Sequence, residues 1–61
     1  MDPTSALHTL RHPDTDPDDR VDAAHDLIDW LHAGGFVPHG EDRHALLAEA
    51  QGIVTTIGLE R

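Results

Sequence analysis

The chain has 61 residues, no cysteine and a formal net charge of −8 with neutral histidine, from 12 acidic and 4 basic residues. A chain of this length forms one domain at most and buries only about 60% of the surface that its unfolded form exposes. The lack of cysteine excludes disulfides and cysteine-based zinc sites as additional support. We therefore predict a single small domain over residues 1–61 that gains stability from self-association or from a partner.

The acidic charge also limits the class of partner. Such a surface repels phosphate, so direct binding of nucleic acid or of an anionic membrane is not expected, whereas a basic protein is attracted. The first residues, MDPTSALHTLRHP, lack the basic start and apolar run of a signal peptide. No apolar run is long enough to cross a bilayer. We expect a cytoplasmic protein without a cofactor.

The first predicted element is a short helix over residues 3–11. Asp2 is a good N-cap, and Pro3 suits the first helical position, where its missing N–H costs nothing. Leu7 and Leu10 share a face, which gives the helix one apolar side. Pro13 disfavours helical geometry in the residue before it and ends the helix.

The stretch DTDPDD, residues 14–19, allows two interpretations. A calcium loop counted from Asp14 requires glycine at its sixth position and glutamate at its twelfth, where the sequence has Asp19 and His25. A helix start requires a capping residue followed by proline, which Asp16 and Pro17 supply. We therefore predict a helix over residues 17–33, ended by a left-handed glycine at 34 or 35.

This second helix has an apolar arc and an acidic arc. At 100° per residue, the apolar arc holds Val21, Ala24, Leu27, Ile28 and Leu31. The opposite arc carries Asp18, Asp19, Asp22, Asp26 and Asp29, with Trp30 at its border. Because tryptophan is a frequent hot spot and carboxylates steer basic partners, we predict a partner-binding site with Trp30 as its anchor. Its rim is formed by Asp19, Asp22, Asp26 and Asp29. The alternative is a solvated acidic face, with Trp30 packed under the first helix.

The third predicted helix covers residues 41–57, with Gly58 as its C-cap. Phe36 and Val37 in the connection before it are expected to tuck over the end of the second helix. Its apolar stripe consists of Leu46, Leu47, Ala50, Ile53, Val54 and Ile57. The fold is thus predicted as all-α: an antiparallel helical hairpin of 17–33 and 41–57, with the short helix 3–11 laid across it.

A second face of this helix consists only of small residues: Ala45, Ala48, Gly52 and Thr55. Small residues at this spacing allow another helix to approach closely, so we predict that this face pairs with a second copy. Gly52 inside a helix suggests a close approach, since it costs about 1 kcal/mol against alanine. The alternative is that the alanines are helix formers on a solvated surface.

Six histidines raise the alternative of a metal-binding module. His8 and His12 are the candidate ligands, since residues four apart on a helix can meet one ion, together with nearby aspartates. The segment HTLRH lacks the glutamate of a metalloprotease helix, and no metal is expected. No cysteine or glycine-rich phosphate loop is present, so we predict a protein that is not an enzyme.

Residues 26–38, DLIDWLHAGGFVP, resemble a stretch of small uncharacterised proteins from GC-rich actinobacteria and their phages or plasmids. In these proteins an acidic helix ends in a tryptophan–leucine pair, followed by double glycine, phenylalanine and proline. The resemblance implies a mobile-element accessory protein that binds a host or phage protein, and it assigns no functional residue. We predict a non-enzymatic accessory or inhibitor module for a basic, nucleic-acid-binding partner; the first alternative is a structural homo-oligomeric helical subunit.

Overall fold

The computed structural model describes the backbone of residues 2–60 and side chains as far as residue 58. Three α-helices follow one another: α1 (Pro3–Arg11), α2 (Pro17–His32) and α3 (Arg43–Glu60). The described residues contain no strand. The all-α prediction with three helices is therefore confirmed.

The helices α1 and α2 begin by the same local device, as predicted. The side chain of Asp2 accepts a hydrogen bond from the backbone N–H of Thr4 at 2.9 Å, with Pro3 in the first turn. The side chain of Asp16 accepts from the N–H of Asp18 at 3.2 Å, with Pro17 in the first turn. Each cap satisfies a donor that the helix cannot satisfy itself. The stretch DTDPDD is thus a helix start in the structure.

The bounds of α3 differ from the predicted 41–57. The Asp42 carboxylate accepts from the backbone N–H of Ala45 at 2.9 Å, which makes Asp42 the cap and Arg43 the first helical residue. Two acidic residues stand in sequence here, and the pattern does not distinguish the one that caps. The helix also continues through Gly58 to Glu60, so the prediction of Gly58 as C-cap was wrong.

The end of α2 agrees with the predicted glycine stop. The helix ends at His32, one residue before the predicted end, and Ala33 is its C-cap. Gly34 follows with φ +84°, in the left-handed region that glycine adopts at little cost. The connection of residues 33–42 then leads to α3, with a second left-handed glycine at Gly40.

The core lies where α2 packs against both of its neighbours. Its buried members are Leu7, Leu10, Ala23, Ala24, Leu27, Leu31, Leu46 and Ala50. Most of these were predicted from the apolar stripes, but Ala23, which is only 7% exposed, lies outside the predicted apolar arc of α2. Because α1 packs on α2, the core extends beyond the arc of α2 that helical spacing predicts to be apolar.

Phe36 lies against the end of α2, as predicted, because its ring contacts that of Trp30. It is 64% exposed, the only large hydrophobic side chain among the described residues with such exposure. Val37 is partly buried against the core, as expected. None of the three described helices combines the length and apolar character that crossing a bilayer requires.

Candidate acidic interface

An acidic groove runs between α1 and α2. We define the acidic groove by its lining aspartates, which are Asp2, Asp14, Asp16, Asp19, Asp22 and Asp26. Its floor includes the small side chains of Ala6 and Ala23, which allow the two helices to approach. None of the described residues that line this groove is basic. The arrangement concentrates negative potential in one concave surface.

The aspartates of the acidic groove have two kinds of role. Asp2 and Asp16 cap helices, so their carboxylates already accept hydrogen bonds from the chain. Asp19, Asp22 and Asp26 are exposed and follow each other at spacings of three and four on α2. Three of the four predicted rim residues therefore lie together in the groove. The fourth, Asp29, lies further along α2 and outside it.

The described arginines are all engaged within the chain. Arg20 donates to the backbone carbonyls of His12 and Thr15, at 2.9 and 3.4 Å. Arg43 donates to the carbonyls of Leu31 and Gly35, at 2.6 and 2.7 Å, and so joins α3 to the end of α2. These cations stabilise the connections between helices and lie outside the acidic groove.

Arg11 forms ion pairs with two glutamates. Its guanidinium donates to Glu49 at 2.8 and 3.0 Å and to Glu41 at 3.0 and 3.3 Å, which ties α1 to α3 and to the connection before it. The hydrogen bonds from Arg11 hold the pKa of Glu49 below its ordinary value. The same bonds raise the pKa of Arg11. The sequence pattern gave no sign of this pairing, since the partners are 30 and 38 residues apart.

Trp30, the predicted anchor, is partly buried at the end of α2. Its indole Nε1 donates to the backbone carbonyl of Phe36 at 2.8 Å. The Phe36 ring stands edge-on to it, with centroids 5.3 Å apart and planes at 90°. A Cβ built at Gly35 would overlap the indole, so only glycine allows this close approach. The turn after α2 thus holds the indole in one orientation.

Trp30 also lines a small open recess on the surface. We define the aromatic notch by its lining residues, Asp26, Asp29, Trp30 and Ala33. These positions are spaced i, i+3, i+4 and i+7, which places them on one face of α2. Asp26 borders both the acidic groove and the aromatic notch, so the two surfaces are continuous. The structure therefore brings the predicted anchor together with two of its rim carboxylates.

The candidate metal ligands are His8 on α1 and His12, the residue that caps its end, and both are exposed. Their ring centroids are 5.7 Å apart, and His12 Nδ1 accepts from the backbone N–H of Asp14 at 3.2 Å. Across the part of the chain that is described, no three histidine or acidic side chains converge as ligands for an ion. The geometry offers the metal-binding alternative only a pair of imidazoles.

The predicted self-association face lies on the outside of α3. Ala45, Ala48, Gly52 and Thr55 are all exposed. A Cβ added at Gly52 would meet nothing within 4 Å, so this glycine makes no close approach within the protomer. The face is available to a second copy, and it carries no charge.

A scan against protein-family models, a search of curated proteins and a search of solved structures each found no match. The resemblance of residues 26–38 to small actinobacterial and phage proteins therefore stays a prediction.

Proposed function

We propose that this chain is a non-enzymatic interaction module that binds a basic protein partner through the acidic groove. The observation that supports the proposal is the separation of charge: six aspartates line the groove with no basic residue among them. The described arginines are engaged elsewhere, with carbonyls or with Glu41 and Glu49. Among the described residues, therefore, no arginine competes for the groove.

The negative charge of the acidic groove indicates which kind of partner would bind there. A basic segment, such as the phosphate-binding surface of a nucleic-acid-binding protein, carries the complementary charge. Binding there would block that surface, which is the role of an inhibitor or accessory protein. The resemblance of residues 26–38 to proteins of phages and plasmids agrees with such a role.

The test is the binding of a labelled nona-arginine peptide, followed by fluorescence anisotropy. We expect Asp22→Asn, in the acidic groove, to weaken binding about threefold. The double variant Asp19→Asn/Asp22→Asn is expected to weaken it about tenfold, with a further loss as salt is added. Circular dichroism checks that the helices are retained.

The matched control is Asp42→Asn, which removes the same charge outside the acidic groove. Asparagine caps helices as well as aspartate does, so α3 keeps its start. Equal weakening by Asp42→Asn and Asp22→Asn would show that net charge alone attracts the peptide. That result would overturn the groove as the binding site.

A second role is favoured by the outer face of α3. In this proposal the hairpin of α2 and α3 is a homo-oligomeric subunit, with Ala45, Ala48, Gly52 and Thr55 facing a second copy. The face is exposed and uncharged in a chain of net charge −8, so it is where copies repel each other least. A monomer mass in sedimentation at high protein concentration would refute this role.

A further inference from the structure

We propose that the aromatic notch binds a single guanidinium group, an arginine side chain of the basic partner. This inference rests on the proposed function and deepens it, because it names the side chain that is recognised and where. The acidic groove would then attract the basic partner along its length, and the notch would make binding specific for an arginine side chain.

The first support is the combination of groups in the notch. The carboxylates of Asp26 and Asp29 are exposed one turn apart, beside the indole of Trp30. A guanidinium is planar, so it can stack on an aromatic ring while its N–H groups donate to carboxylates. Lysine offers a compact, more strongly hydrated charge that uses this combination less well. The notch therefore matches arginine better than lysine.

The second support is the fixed orientation of the indole. The hydrogen bond from Nε1 to the Phe36 carbonyl, the close approach of Gly35 and the edge-on Phe36 ring each restrain Trp30. A ring that is already ordered loses little conformational entropy when a ligand stacks on it. The indole N–H is satisfied within the chain, so Trp30 meets a partner in the notch through its ring and not as a hydrogen-bond donor.

The third support is the size and openness of the notch. Its volume of about 350 Å³ is near the lower limit for ligand pockets, and it is open to solvent. A recess of this kind suits one side chain that arrives on a larger molecule. Phe36, 64% exposed, lies beside Trp30 and adds an exposed apolar surface next to the tryptophan.

The experiment uses Trp30 as a reporter, because it is the only tryptophan of the chain. The protein is titrated with labelled nona-arginine and with labelled nona-lysine, and both peptide anisotropy and tryptophan emission are recorded. We expect nona-arginine to bind more tightly and to change the emission with the same midpoint as the anisotropy. Nona-lysine should change the emission less at equal occupancy.

Two single variants separate the notch from the groove. Asp29→Asn changes a residue that lines only the notch, and Asp22→Asn changes one that lines only the groove, with the same change in net charge. Asp29→Asn should weaken nona-arginine about threefold and reduce the preference over nona-lysine. Asp22→Asn should weaken both peptides alike. Both side chains are exposed, so the fold is retained, and circular dichroism verifies this.

The outcomes distinguish the two proposals. If the anisotropy reports binding while the emission of Trp30 stays constant and Asp29→Asn binds like the parent, the notch is not the site and the groove proposal stands. If neither peptide binds, the proposed function fails and the notch fails with it. An emission change that is equal for both peptides at equal occupancy would also reject the specificity for guanidinium.

Discussion

The contact between Gly35 and Trp30 can be tested by adding one methyl group. Gly35→Ala places a Cβ where it would overlap the indole, so the ring or the turn must move. Gly35 has no positive φ, and alanine there is therefore not strained by its backbone conformation. Any loss of stability therefore comes from the steric contact and its consequences, and not from a strained φ.

The magnitude follows from three contributions. Overpacking of a fitted contact costs about 1–3 kcal/mol, and loss of the hydrogen bond from Trp30 to the Phe36 carbonyl costs about 1 kcal/mol. Restriction of the unfolded chain by alanine returns about 0.4–1 kcal/mol. We expect the free energy of unfolding to fall by about 2 kcal/mol, which lowers the Tm by about 10 °C in a domain of this size.

The assay is urea and thermal unfolding followed by circular dichroism, together with the proton resonance of the indole N–H. The matched control is Gly52→Ala, the same chemical change where nothing lies within 4 Å. Inside α3, alanine should raise the stability by about 1 kcal/mol because of its helix propensity. If Gly35→Ala unfolds like the parent with an unshifted indole proton, the proposed restraint of Trp30 is wrong.

Two further substitutions test the ion pair and the outer face of α3. Glu49→Gln removes the ion pair with Arg11, which lowers the pKa of Glu49 in the folded state. The ion pair therefore stabilises the fold above the ordinary glutamate pKa of about 4.3. This stabilisation is lost as the pH falls through the lowered pKa of the folded state. Both side chains of the pair are partly exposed, so we expect urea unfolding to show that the substitution lowers the free energy of unfolding by less than about 1 kcal/mol at neutral pH, and by less still in acid. A decrease that does not depend on pH would contradict the pairing. A side chain that replaces Gly52 starts in open space within the protomer, since a Cβ there meets nothing within 4 Å. If Gly52→Leu lowers the solution mass from oligomer to monomer, the contact between copies lies on the outer face of α3. An unchanged oligomer mass would exclude that face.

Local signals made the starts of α1 and α2 predictable. A cap such as Asp16 with Pro17 acts within a few residues, so the sequence contains all the atoms involved. The start of α3 was less predictable because Glu41 and Asp42 both fit a first turn. Glu41 instead accepts hydrogen bonds from Arg11, which lies 30 residues earlier in the chain, and no local sequence pattern indicates this contact.

The site was predictable in part for the same reason. Helical spacing alone placed Asp26, Asp29 and Trp30 on neighbouring positions of one helix. The restraint of Trp30 by Gly35 and Phe36 depends on how the chain turns after α2, which spacing does not determine. The acidic groove is likewise formed by α1 together with α2. Helical spacing within α2 does not determine which of its sides α1 covers.

The distribution of charge allows the two proposed surfaces to act together. All nine aspartates precede α3, and α3 itself contains only Arg43, Glu49 and Glu60 as charged residues. Copies that met through the acidic groove would bring like charges together, whereas the proposed pairing through α3 would avoid this and leave both grooves open. Because that contact involves uncharged side chains, added salt should weaken peptide binding at the groove and leave the oligomer mass unchanged. A mass that rises steeply with salt would instead show that the acidic faces approach each other in the oligomer.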